Sequence, residues 1–80
     1  MKIISWNVNS IRIRKEQLFD LLYKEDPDFV CLQEIKSSND AFPTKDFEGL
    51  NYFSYVNGMP SYNGVGILSK EKVESTYSHI

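Results

Sequence analysis

Two apolar segments of the sequence end in side chains that are able to bind a metal ion or a phosphate group. Asn7 and Asn9 follow "KIISW", and Glu34 follows "FVCLQ". Oxygen atoms are the ligands of hard cations such as Mg²⁺, which one or two protein carboxylates hold together with waters and substrate phosphates. The residue types therefore predict an oxygen-only site in which Glu34 is the direct ligand. Asn7 is neutral and would orient a ligand, a water or a phosphate oxygen.

The same residues also have an interpretation that needs no ligand. Asn and Glu are common where a strand gives way to a turn, and Asn9 suits the start of a turn into the next segment. Residue types alone leave both interpretations open.

Cations and an aromatic side chain lie close to this predicted site in the sequence. Arg12, Arg14 and Lys15 belong to "NSIRIRKEQ" and predict contact with phosphate. Their alternative is a solvated helix start, although cations there oppose the helix dipole. Tyr62 lies in the Gly-rich segment "PSYNGVG", where a planar side chain suits contact with a sugar or a base. An ordinary exposed loop tyrosine is the alternative.

The predicted secondary structure is a strand, a helix and a second strand. Residues 2–9 are rich in β-branched and aromatic types, which favour a strand. Residues 14–25 have leucines at helical spacing, and Pro27 ends this predicted helix. Residues 28–34 predict a second strand, apolar enough to be buried on both faces.

This arrangement brings the polar side chains to one edge of a sheet. A strand, helix and strand within about 35 residues form a βαβ unit, whose two strands are parallel. If the strands are neighbours, Asn7, Asn9 and Glu34 all lie at the carboxyl ends of the strands. That edge is where open α/β sheets bind their ligands.

The second half of the sequence predicts a loop and a hairpin. Residues 37–50 indicate a loop with one short helical turn at 44–48. Residues 51–58 and 63–70 indicate two more strands, and the Asn-Gly pairs between them favour a long hairpin connection. No internal repeat or change in composition marks a second domain.

Composition limits the class of protein. The 80 residues are 41% hydrophobic and 25% charged, which is typical of a soluble globular domain. The net charge of −2 excludes a basic field over the whole chain. Cys31 is the only cysteine, which excludes an internal disulfide and indicates a small buried side chain. Without a membrane-length apolar stretch or a signal-peptide pattern, the sequence predicts a cytoplasmic protein without membrane contact.

Three motifs together indicate a family. "SWNVNSIR", "PDFVCLQEIK" and "YNGVGILSK", in this order, resemble the N-terminal part of the exonuclease III family of AP endonucleases, within the endonuclease/exonuclease/phosphatase superfamily. The resemblance runs from Met1 to about Lys70. It implies an α/β fold of the α+β sandwich type, a four-layer α/β β-sandwich. Residues 1–80 would be the N-terminal portion of that single domain, with one sheet face uncovered and one edge strand open.

The resemblance also implies roles for individual residues. Glu34 resembles the family's metal-binding glutamate, and Asn7 resembles the amide of the catalytic metal and phosphate site. Asn9 corresponds to a position where relatives carry Asn or Asp, so an Asn here lowers the local charge. Four positions resemble DNA-binding residues: Arg12, Asn9, Lys36 and Tyr62.

The implied activity is hydrolysis of phosphodiester bonds in double-stranded DNA, 5′ to an abasic site and from 3′ ends. The implied cofactor is Mg²⁺ or Mn²⁺, with an activated water as the nucleophile. The family's downstream Asp-x-Asn pair, catalytic Tyr and Ser-Asp-His motif are not in the sequence, and His79 in "TYSHI" does not match. We therefore expect the 80 residues alone to be inactive until the remainder of the catalytic domain is supplied.

Two alternatives remain open at this point. The chain could be a non-catalytic domain that binds a partner through its exposed sheet. It could also belong to another phosphodiesterase of the same superfamily, since relatives that cleave RNA tails, phosphoinositides or non-specific DNA share the Asn and Glu positions.

Overall fold

The computed structural model describes residues 1–58 and 64–72. Its elements in chain order are β1 (Ile3–Asn7), α1 (Ile11–Glu25), β2 (Phe29–Gln33), α2 (Thr44–Glu48), β3 (Phe53–Asn57) and β4 (Val65–Ser69). The order of elements is the one that the sequence predicts, and α2 has the bounds of the predicted helical turn.

The four strands form one mixed sheet in the order β1-β2-β4-β3. β1 and β2 are parallel neighbours, with Asn7 opposite Gln33 at their carboxyl ends. β4 pairs antiparallel with both β2 and β3, so β3 and β4 form the predicted hairpin. The prediction that β1 and β2 end at the same edge is confirmed, and this edge carries Asn7 and Glu34.

Helix α1 begins three residues earlier than the leucine spacing predicts. Ile11 is only 2% exposed, and its N–H donates to the carbonyl of Ile35 at 2.9 Å. This hydrogen bond comes from a distant part of the chain, so leucine spacing could not reveal it. At the other end, Asp26 has a left-handed backbone (φ 48°) and its N–H donates to the carbonyl of Leu22. Pro27 then prevents the helix from continuing.

The core lies between the two helices and one face of the sheet. β2 contributes Val30 and Leu32 to this core, and α1 contributes Leu18 and Leu22. Phe47 of α2 is fully buried among them. The sheet is therefore held against the helices by one continuous apolar cluster.

The opposite face of the sheet is open in the described part of the chain. Ile3 and Phe53 lie on this face and are 60% and 42% exposed. Phe29 and Cys31 of β2 also lie on it and are half-buried. The predictions that β2 is buried on both faces and that Cys31 is buried are therefore wrong, because no layer of the described residues covers this side.

A buried tyrosine joins the segments that precede β2 and β3. Tyr52 is 4% exposed, and its hydroxyl donates to the carbonyl of Pro27 at 2.6 Å. Burial raises the pKa of the Tyr52 phenol above its usual value of 10.0, with opposing influence from Lys70 and reinforcement from Asp26 and Asp28. The phenol thus stays neutral in the folded chain at a pH where the unfolded chain ionises.

We expect this tyrosine to make the protein sensitive to alkali. Its contribution to stability is complete below pH 10 and is lost as the pH rises through the higher pKa of the folded state. Tyr52→Phe should therefore make the fall in unfolding free energy above pH 10 shallower. At pH 7 it should remove about 1–3 kcal/mol, because the Pro27 carbonyl loses its partner. Urea unfolding from pH 7 to 11 measures both effects.

Tyr23→Phe is the matched control, because Tyr23 is 89% exposed. It should leave the unfolding free energy nearly unchanged at every pH. If the unfolding free energy of the wild-type chain and of Tyr52→Phe fell equally steeply above pH 10, Tyr52 would not be the source of the alkaline sensitivity. Lys70, whose pKa is raised chiefly by its hydrogen bond with Asp26, titrates with the same sign and remains in both variants.

No helix in residues 1–58 or 64–72 is long and apolar enough to cross a membrane.

Candidate functional site

The carboxyl ends of β1 and β2 bring Asn7 and Glu34 into direct contact. The side-chain amide of Asn7 donates a hydrogen bond through Nδ2 to Oε2 of Glu34. The other amide atom, Oδ1, accepts from the backbone N–H of Asn9 at 3.2 Å. Asn7 therefore fixes the Glu34 carboxylate on one side and the start of the following loop on the other. These are the two residues that the sequence predicts as catalytic and metal-binding.

A second contact joins the same two loops. Nζ of Lys36 donates to Oδ1 of Asn9 at 2.5 Å. Because Asn9 is neutral, this contact positions the ammonium group without cancelling its charge. Four of the six sequence-predicted site residues thus form two adjacent pairs, Asn7–Glu34 and Asn9–Lys36.

Four residues of these loops have positive φ although none is a glycine. The values are 46° at Asn9, 92° at Ser10, 52° at Glu34 and 52° at Lys36. Such conformations cost roughly 1–3 kcal/mol each, persist only where the surrounding structure imposes them, and cluster at functional sites. Three of these four residues present polar side chains of the site: the amide of Asn9, the carboxylate of Glu34 and the ammonium group of Lys36.

Backbone hydrogen bonds between the loops impose this geometry. The N–H of Val8 donates to the carbonyl of Gln33 at 3.0 Å, and that of Ser10 donates to the carbonyl of Glu34 at 2.9 Å. The bond from Ile11 to Ile35 continues the same ladder into the helix. The parallel pairing of β1 and β2 therefore extends past their ends and holds the site rigidly.

Ser10→Gly is expected to stabilise the protein by about 1 kcal/mol. Glycine adopts the backbone of residue 10 without strain, and this gain exceeds its greater entropy loss on folding. Ser10 is the N-cap of α1 but makes no capping hydrogen bond with its side chain, so no capping bond is lost. Urea unfolding measures the change. Ser10→Ala keeps the Cβ and should give no gain; equal stabilisation by both variants would show that strain is not the cause.

A basic groove of about 380 Å³ lies beside these pairs. Its lining residues come from the start of α1 and from the segment between β2 and α2: Ser10, Ile11, Arg12, Lys15, Lys36, Ser37, Ser38, Ala41 and Pro43. Three of them carry a positive charge. Arg14, which the sequence groups with these cations, does not line the groove.

The three cations of the basic groove differ in their partners. Nζ of Lys15 lies 3.1 Å from Oδ2 of Asp46. Arg12 and Lys36 are exposed and form no ion pair with any acidic side chain of the described ranges. The groove therefore keeps a positive charge next to Glu34, which suits an anionic ligand such as a phosphodiester.

Sequence reasoning missed two neighbouring serines of the groove, Ser37 and Ser38. The hydroxyl of Ser37 donates to the carbonyl of Ser38 at 2.8 Å, and that of Ser38 accepts from the N–H of Ala41 at 3.1 Å. These bonds fold the chain after Lys36 into the wall of the groove. Only proximity to Lys36 in the sequence could have indicated them.

The hairpin packs directly on the loop that carries Lys36. The N–H of Gly58 donates to Oδ1 of Asn39 at 2.7 Å, and the N–H of Ile35 donates to the carbonyl of Gly64 at 3.3 Å. A Cβ at residue 58 would lie 2.1 Å from the carbonyl oxygen of Ser37, so only glycine fits there. In the sequence, the predicted DNA-contacting Tyr62 falls between Gly58 and Gly64. Tyr62 and His79 both lie outside the described residues.

The donor atoms at the site fit a hard cation. Oε2 of Glu34 accepts from Asn7, and Oε1 has no hydrogen-bond partner within the described residues. One carboxylate matches the way Mg²⁺ binds, with water and phosphate oxygens supplying the other positions. No group of three or more His, Cys, Asp or Glu side chains forms a metal cage in residues 1–58 and 64–72. The donor set thus suits a cation shared with a phosphate rather than a closed structural metal site.

The sequence is similar to a known protein family and to curated members of it. A family model described as the endonuclease/exonuclease/phosphatase family matches residues 4–79. Exodeoxyribonuclease III of Haemophilus influenzae is 40% identical over 72 residues, which are 90% of this chain and 27% of the relative.

Solved structures give the same result. An AP endonuclease from Archaeoglobus fulgidus has a TM-score of 0.87 at 40% identity, covering 90% of this chain and 28% of the other. The 3′ phosphatase NExo from Neisseria, in a variant bound to product DNA hairpin, has a TM-score of 0.85 at 40% identity, covering 88% and 27%. The chain therefore spans about a quarter of the length of these relatives.

Proposed function

The chain belongs to the endonuclease/exonuclease/phosphatase family, and on this premise we propose that it is the N-terminal part of a DNA-repair nuclease that hydrolyses phosphodiester bonds. The observation that carries the proposal is the Asn7–Glu34 pair at the carboxyl edge of the sheet, beside a basic groove. An oxygen-only carboxylate site next to uncompensated cations suits the hydrolysis of a phosphodiester.

The proposed substrate is double-stranded DNA that carries abasic sites or 3′ ends. Arg12 and Lys36 would contact phosphate oxygens, because both are exposed cations without an acidic partner in the described ranges. The similarity to an AP endonuclease supports abasic sites as substrates, and the similarity to a 3′ phosphatase bound to product DNA supports 3′ ends. Tyr62 is proposed as a further DNA contact, from the resemblance alone.

The proposed cofactor is Mg²⁺ or Mn²⁺, held by Glu34 with Asn7 beside it. When bound, the cation would polarise the phosphate and stabilise the charge that develops on the leaving oxygen. Asn7 keeps the Glu34 carboxylate in one orientation through its Nδ2 hydrogen bond. Asn9 orients Lys36 in the same way, by accepting a hydrogen bond from its ammonium group. That ammonium group would hold a non-bridging phosphate oxygen.

We further propose that these 80 residues do not cleave DNA without the rest of a catalytic domain. Glu34 is the only carboxylate that the described residues place at this site, and residues 1–58 and 64–72 place no second acid or base there for the attacking water. The proposed location in the cell is the cytoplasm, on the sequence argument alone.

A non-catalytic function is the second candidate, and the open sheet face favours it. Ile3 and Phe53 expose apolar surface there, as a partner-binding face would. A phosphodiesterase of the same family with another substrate is the third candidate, because the Asn and Glu positions do not distinguish substrates.

A chimera tests the proposal. Residues 1–72 would replace the matching quarter of the Haemophilus influenzae relative, and nicking of an abasic-site duplex would be followed with Mg²⁺. We expect the chimera to nick this duplex and the 80 residues alone to be inactive. A folded chimera that binds the duplex but does not nick it would favour the non-catalytic function, and preference for an intact or RNA substrate would favour the third candidate.

A further inference from the structure

Lys15 differs from the other cations of the basic groove because its charge is already paired. Its ammonium group lies 3.1 Å from the Asp46 carboxylate of α2 and 5.8 Å from the ring centroid of Phe19. Both side chains of the pair are partly open to solvent, 34% for Lys15 and 48% for Asp46. An exposed pair of this kind is weak and is easily exchanged for another partner.

This ion pair is the one that borders the candidate site. Three ion pairs are formed within the described residues. Lys2–Glu25 and Lys70–Asp26 lie at the opposite edge of the sheet, where β1 and β2 begin. Lys15 instead lines the groove together with Arg12 and Lys36.

We propose that Asp46 competes with DNA phosphate for Lys15 and thereby limits how tightly the groove binds DNA. The inference rests on the proposed function of the groove. While Lys15 is paired with Asp46, only Arg12 and Lys36 among the cations of the groove are available to phosphate. The Asp46 carboxylate also adds a negative charge beside the groove, which repels phosphate. A phosphate that takes Lys15 must displace Asp46. Asp46 is thus a determinant of affinity that does not itself touch the nucleic acid.

The competition has a specific signature in salt dependence. Each phosphate neutralised by a cation adds about 0.9 to the slope of log K against log salt concentration. Releasing Lys15 should therefore steepen the slope by about this amount, whereas a general change in net charge alters affinity without adding a contact. The salt slope therefore distinguishes two causes of tighter binding: a lysine that gains a phosphate contact, and a protein that has merely become less acidic.

Asp46→Asn tests the proposal, with Glu48→Gln as the matched control. Glu48 is an exposed acid on the same short helix and belongs to none of the ion pairs of the described residues. Binding of a fluorescent 20-base-pair duplex to the 80-residue chain is measured by anisotropy from about 25 to 200 mM salt, with circular dichroism confirming the fold. We expect Asp46→Asn to bind roughly threefold to tenfold more tightly than Glu48→Gln at low salt, with a slope steeper by about 0.9.

Adding Lys15→Gln to Asp46→Asn should abolish both gains. Equal affinity and slope for the Asp46 and Glu48 variants would overturn the inference, as would a gain that survives the loss of Lys15. If neither variant nor the wild-type chain binds the duplex at 25 mM salt, the inference and the proposed DNA contact both fail. If the wild-type chain binds and loses affinity with Arg12→Gln, the proposed contact stands whatever the Asp46 variant does.

Discussion

Glu34→Gln in the chimera is expected to slow nicking of an abasic-site duplex by more than about 100-fold. The substitution removes the only carboxylate of the described site and keeps its size. The new side chain can still accept the hydrogen bond from Asn7, so the loop geometry should persist. Loss of a residue that merely orients a ligand typically costs about 10–100-fold, and loss of the direct ligand should exceed this. Initial rates at saturating Mg²⁺ measure the effect.

Glu16→Gln is the control for this change, because Glu16 is an exposed acid on α1. It should leave the rate within about threefold of the parent, the small change expected when one exposed negative charge is removed from a DNA-binding protein. Thermal unfolding should show that both chimeras are folded. If Glu34→Gln and Glu16→Gln had equal rates, Glu34 would be a turn residue at the end of a strand, which is the interpretation that needs no ligand.

Phe47→Ala is expected to have the largest effect on stability. Phe47 is fully buried, with its ring centroid 5.5 Å from that of Phe19 in a T-shaped contact and 5.6 Å from that of Phe42. Removing a buried phenyl ring costs about 3–5 kcal/mol. Since a small domain has only about 5–15 kcal/mol in total, this loss should remove a large share of the stability. Urea unfolding at 25 °C measures the loss.

Two further substitutions serve as controls for the size of the loss at Phe47. Phe47→Leu keeps much of the volume and should cost clearly less. Phe53→Ala removes the same ring from a site that is 42% exposed, so its cost should be the smallest of the three. A loss at Phe47 no greater than that at Phe53 would mean that the aromatic cluster does not hold α2 on the core.

The pairing of Asn7 with Glu34 could be predicted because it depends on local patterns alone. A helix between two apolar strands of one sheet favours a parallel pair, and parallel neighbours end at one edge. The structure confirms that β1 and β2 are such neighbours. The contact between Lys36 and Asn9 follows from the same geometry, one step further along each loop.

Other features depend on contacts that no local pattern contains. The start of α1 at Ile11 follows from a hydrogen bond to Ile35, and the Lys15–Asp46 pair joins residues that lie 31 positions apart. The half-exposure of Cys31 depends on what covers the second face of the sheet, which the composition of β2 cannot reveal. The positive φ at Ser10 is imposed by the ladder between the two loops rather than favoured by its residue type.

The most direct test of the metal site is paramagnetic broadening by Mn²⁺ in the ¹⁵N-labelled 80-residue chain. Broadening should begin at the side-chain amide of Asn7 and at the backbone amides of Glu34 and Asn9, and it should disappear in Glu34→Gln. Broadening that begins instead near Asp26 and Asp28, at the opposite edge of the sheet, or that persists at Asn7 after Glu34→Gln, would contradict the assignment of Glu34 as the metal ligand.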